Sequence, residues 1–161
     1  MKTILLFLAS GLMIGCSRNP VSAPPDVPLN QLLASPDTIT VDRTQLYLTT
    51  NLNRDFMPIS PPDGKPLVAQ CLITSTDTTD ITKSISADVV WIVYQGQVWK
   101  SWLSTPVNPP DTKWPNCVAK VALNGPKWGP NVSVDVVVRV IGPKGSTRLL
   151  RASEQWIGRT D

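Results

Sequence analysis

Val132, Val134, Val136, Val138 and Val140 occupy every second position over nine residues. Side chains two apart share one face of an extended chain, whereas on a helix they diverge. Valine is also stiff at χ1 and packs well on a pleated surface. This run therefore demands a β-strand with one continuous apolar face. Ser133, Asp135 and Arg139 share its other face with Val137. Such a strand cannot stand alone; it needs paired neighbours and a covering layer. The rest of the chain is punctuated to supply them. Its 16 Pro and 9 Gly cut the sequence into short runs rich in Val and Thr, which suits strands and turns better than helices.

Alternation predicts strands over residues 38–41, 45–50, 67–74 and 117–123. A return strand over 147–157 is expected to place Leu150, Ala152 and Trp156 on one side. The centre is residues 88–103, where Gln95-Gly96 reads as a two-residue hairpin loop. That loop sets a register: Val93 opposite Val98, Ile92 opposite Trp99, Trp91 opposite Lys100 and Val89 opposite Trp102. One face then gathers Val89, Trp91, Val93, Val98 and Trp102 around the Lys100 stem. The other holds Val90, Ile92, Trp99 and Leu103. Both faces are apolar, so both call for cover. The expected class is all-β, an antiparallel two-sheet β-sandwich over residues 37–161. Cys71, Trp91 and the closing Val-rich hairpin resemble, in outline, the immunoglobulin-like or fibronectin-III-like domains of bacterial surface lipoproteins.

The N-terminus has its own logic. Lys2 precedes an apolar run from Ile4 to Ile14, too short to span a bilayer as a helix. It reads as a signal peptide, residues 1–15. Gly15-Cys16 resembles a bacterial lipobox, which implies that Cys16 becomes the lipidated first residue. The resemblance makes the membrane a partner through acylated Cys16, and Ser17 resembles an outer-membrane address. The implied location is the bacterial cell envelope, lipid-anchored. The alternative is an ordinary cleaved signal with Cys16 incidental. Residues 16–36 carry Pro20, Pro24, Pro25, Pro28 and Pro36 and read as a spacer, partly polyproline II. Within it, residues 29–34 are able to form a helical turn or dock on the domain.

Composition excludes several chemistries. The chain has no His, which removes Ser-His-Asp and Cys-His sites and histidine-ligated zinc. Its one Glu, Glu154, leaves a glycosidase dependent on an Asp partner that spacing does not supply. A non-enzyme with no cofactor is the expectation. The net charge of +3, with no basic block interleaved with aromatics, argues against nucleic acid. Asp77 and Asp80 lack the spaced ligands of a calcium loop and read as turn residues, so no metal is expected. Cys71 and Cys117 are left after Cys16, and an exported compartment favours a disulfide between them; two buried free thiols are the alternative.

The segment from Arg54 to Lys65 is long for a plain connection and rich in proline, so it is the first candidate for a partner surface. Phe56 and Met57 are its candidate binding residues; otherwise, with Ile59, they pin the loop to the core. Trp99, Trp114 and Trp128 are candidates for stacking on a glycan, against the alternative of core packing. The sequence thus points to a non-catalytic binding or structural module with an envelope protein partner, and a carbohydrate-binding lipoprotein is the second reading.

Overall fold

The computed structural model describes residues 24–107 and 116–161. A short helix, α1 (Leu29–Leu33), precedes strands β1 (Thr38–Val41), β2 (Thr44–Asp55), β3 (Leu67–Ser75), β4 (Ser86–Tyr94) and β5 (Gln97–Trp102). After these come β6 (Cys117–Gly125), β7 (Ser133–Ile141) and β8 (Thr147–Thr160). The strands form one sheet in the order β5-β4-β7-β8-β2-β3-β6, with β1 hairpinned onto β2. The expectation of an all-β fold holds. That of a wholly antiparallel one does not, because β2 and β8 run parallel from Leu52↔Ile157 to Asp55↔Thr160.

The parallel pair arises because β8 serves two neighbours. Its first part ladders with β7 as far as Trp156, and its last residues ladder with β2. Within the ladder with β7, Glu154 takes φ 55° and the register slips between Val134 and Val136. An extra residue in one strand bends it and reverses the facing of everything beyond. Leu150 and Ala152 face the core as expected, but Trp156 is turned outward and is 59% exposed. Ile157 takes the inward place.

The sheet curls until its ends meet. Beyond β5, Ser104 exchanges two backbone hydrogen bonds of 2.9 Å with Val121 of β6. Inward residues from the whole curl share one core. Val134, Val136, Val138 and Val140 of β7 meet Leu46, Leu48 and Leu52 of β2 and Leu67 and Ile73 of β3. The β4–β5 hairpin has the expected register at every pair from Val89↔Trp102 to Val93↔Val98. Gln95 and Gly96 take φ 48° and 80°, the pair of positive angles that a two-residue type I′ loop requires.

The second apolar face of that hairpin is covered by the chain's own N-terminal segment, in which residues 29–33 form the helical turn and dock, the option left open for this part of the spacer. Leu32 of α1, with Val27 and Leu29, packs on Val89, Trp91, Val93 and Val137. Asp26 pairs with Lys100 on β5. At the other end Arg151 of β8 holds the strap twice, through its side chain to the Leu33 carbonyl and its backbone N–H to the Pro36 carbonyl. This also explains Val137, an apolar residue on the polar face of β7: it lies beneath the strap and is fully buried. Among the described residues, no helix is long and apolar enough to cross a membrane.

Candidate functional site

The loop between β2 and β3 is built from its base upward. Inward positions of β2 alternate through Leu46, Leu48 and Leu52, and the next is Arg54, only 2% exposed. Its guanidinium donates to four backbone carbonyls. Nε reaches Lys65 at 3.0 Å; Nη1 reaches Lys127 at 3.1 Å and Gly129 at 2.7 Å; Nη2 reaches Asp63. One buried side chain thus fastens the β2–β3 loop to the segment before β7. Arg54 was not singled out by chemistry in the sequence. The signal that marks it is its parity, an arginine in an inward slot of an alternating strand.

Phe56 stands on this base. Its ring lies between two guanidinium groups, 4.9 Å from that of Arg54 and 4.3 Å from that of Arg159. Gly64 lies against the ring, and a Cβ there would come within 2.6 Å of Phe56. Gly64 also has φ +73°, so the position favours glycine on both counts. Phe56 is therefore the loop's internal pin. Beyond it the chain turns out. The Asp55 carboxylate accepts the Met57 N–H at 2.8 Å, and Ser60 N–H closes on the Met57 carbonyl at 2.7 Å. This leaves Met57 44% and Ile59 89% exposed, with Pro58 between them.

Two ion pairs brace the sides, Asp55 with Lys65 and Asp63 with Lys127, each at 2.6 Å. The hydrogen bonds from Lys65 and from the Met57 N–H hold the Asp55 carboxyl below the usual range, and Lys127 does the same for Asp63. A carboxyl depressed on folding adds stability above its unfolded pKa and loses it as pH falls through the folded one. Both braces therefore persist to pH values below the ordinary carboxylate range.

The tryptophans give no glycan platform among the described residues. Trp99 faces inward on β5 and Trp128 packs on the core, its ring 5.5 Å from that of Tyr94 and tilted 42° to it. The more exposed rings, Trp102 and Trp156, lie on β5 and β8, with β4 and β7 between. Trp114 and Cys16 lie outside the described residues. Asp77 and Asp80 serve their own turns, each accepting the backbone N–H two residues on, from Thr79 at 2.9 Å and Thr82 at 3.0 Å.

The expected Cys71–Cys117 disulfide is corrected: both are free thiols. They lie on neighbouring strands, but the partner of Cys117 is Thr74, three residues along β3 from Cys71. That offset is about 10 Å along the strand, beyond the roughly 7 Å Cα limit for a bridge. An odd offset also puts the two side chains on opposite faces. Cys71 is in the core, where burial pushes its thiol up to about 12. Cys117 is half-buried on the other side. Alkylation of the native, unreduced protein should modify Cys117 and leave Cys71 untouched until the protein is unfolded. Loss of both thiols from labelling in unreduced, unfolded protein would restore the bridge.

No known protein family, curated protein or solved structure matches this chain.

Proposed function

We propose that the chain is a lipid-anchored protein of the bacterial envelope, held through acylated Cys16 and most consistent with the outer membrane. Its folded part works there as a non-catalytic module that binds an envelope protein. The reading treats the curled sheet as an immunoglobulin-like sandwich, with β5-β4-β7 and β2-β3-β6 as its layers and β8 crossing between them. The shared inner core of the two halves supports that view. The observation that carries the binding role is the Met57–Ile59 tip: apolar, outward and mounted on a base that Arg54 makes rigid. A preorganised apolar anchor loses little conformational freedom on docking, which favours a shaped protein cleft as its receiver.

The test is site-specific photo-crosslinking from position 59 of the full chain in its native envelope, with the exposed position 148 at the start of β8 as control. One defined protein should be captured from 59 and not from 148. The pair Met57→Ser and Ile59→Ser should lower co-purification of that protein about tenfold or more, the loss of a modest hot spot. As surface changes, they should leave stability within about 0.5 kcal/mol. Equal capture at both positions, or undiminished co-purification, would remove the tip as the binding site. Cys16→Ala tests the anchor separately: a fully processed variant that still resists membrane washing would remove the lipid attachment.

A further inference from the structure

Towards the other end of β2 from this tip the structure has a cavity of about 900 Å³, near the upper end of the range used by small-molecule sites. Leu72, Ile85, Val118 and Ala119 give it apolar walls, and Thr49 and Thr74 add hydroxyls from outward positions of β2 and β3. Lys83 and Lys120 also line it, and among the described residues no carboxylate does. Lys65, Lys100 and Lys127 each sit in an ion pair; among the described residues Lys83 and Lys120 in the lining, and Lys144 outside it, have no carboxylate within ion-pair distance. Lys120 Nζ donates only to a neutral hydroxyl, Thr105 Oγ1, at 3.2 Å. Asp80, in the loop beside Lys83, is near enough to feel that lysine's charge, but it does not line the cavity and its carboxylate accepts Thr82 Oγ1 at 2.7 Å. Ammonium groups beside apolar walls, without counter-charge in the lining, concentrate small anions.

We propose that this cavity binds a small anionic amphiphile. Its carboxylate or sulfonate head is held by Lys120 and Lys83, and its apolar body lies on Leu72 and Ala119. The site is independent of the Met57–Ile59 tip and of the protein partner assigned to it. Neither reading depends on the other.

Cys117 lines the same cavity and serves as a reporter, while Cys71 is buried away from it. The experiment follows alkylation of Cys117 by neutral iodoacetamide in the full chain, resolved at the peptide level by mass spectrometry. Octanoate, octylammonium and octanol are compared at equal concentration. Octanoate should slow Cys117 labelling about tenfold at ten times its dissociation constant. Octylammonium and octanol should not. The double variant Lys83→Gln with Lys120→Gln should label at the unliganded rate and lose the octanoate protection. Ala119→Trp, which fills the apolar wall, should lose it while keeping both lysines. Equal protection by all three compounds would mean an apolar groove without charge selection and would overturn the proposal. So would no protection by octanoate, or full protection in the lysine variant.

Discussion

Replacing Arg54 by Met lowers stability by about 3–5 kcal/mol, as buried carbonyls that lose a charged donor cost about 1–3 kcal/mol each without adding in full. Methionine fills much of the space but donates nothing. The carbonyls of Asp63, Lys65, Lys127 and Gly129 then lose their shared donor in one step. Leaving a buried polar group unpaired costs about 1–3 kcal/mol, and rehydration at the loop end keeps the four from adding in full. Arg54→Lys falls between Met and the native residue. Its point charge survives, but an ammonium lacks the planar fork that reaches both sides of the loop. Chemical denaturation measures all three proteins. The structural signature is specific: the Arg54→Met protein should lose amide-exchange protection at Gly64, whose N–H closes a turn on Pro61, and at Lys65, whose N–H closes the loop's base on Asp55. A loss under about 1 kcal/mol would mean that the carbonyls find water without penalty, and that the loop is not held from below.

Legibility in the sequence followed the range of the interaction. The β4–β5 hairpin was readable to the residue, because a two-residue loop and an alternating pattern fix register locally. The five valines gave the core strand for the same reason, with Val132 falling just outside β7. Trp156 was misplaced because parity counting assumes an unbroken strand, and Glu154 breaks it with nothing in its residue type to announce the bulge. The disulfide failed on register between β3 and β6, strands that the β4–β5 hairpin separates in sequence. At the candidate site, length and proline content marked the loop, but not which residues point out. Phe56 turned inward onto Gly64 while Met57 and Ile59 turned outward, a division set by Arg54 and Arg159. The hairpin's second apolar face demanded cover, yet its source, a proline-rich stretch, looked like the least structured part of the chain.

Leu32 decides whether that stretch stays docked. Its side chain is fully buried over Trp91, and Leu32→Ala should cost about 2–5 kcal/mol through lost contacts and the cavity left behind. The Asp26–Lys100 pair is a weaker hold. The Asp26 side chain is 94% exposed, and exposed pairs contribute about 0–1 kcal/mol, so Asp26→Asn should change stability little. The docked state also has a weakness, since Trp91 Nε1 is buried with no hydrogen-bond partner among the described residues. Leu32→Asp should therefore release the strap altogether, because an unpaired carboxylate is not retained over Val89, Trp91 and Val93. Trp91 then meets water. Its emission should shift to the red and become open to acrylamide quenching, and the uncovered apolar strip should promote self-association. If Ala and Asp at this position cost the same, the strap detaches in both, and the common value is its docking free energy. On the proposed Cys16 anchor, release also changes reach. Docking fixes the chain from Pro24 onward, so the chain length from Cys16 to Pro24 limits the reach to at most about 25–30 Å. Undocking adds the strap to that length, so Leu32→Asp should let the domain crosslink to membrane proteins farther from the bilayer. Unchanged Trp91 emission in the Leu32→Asp protein would show that something other than the strap covers this face.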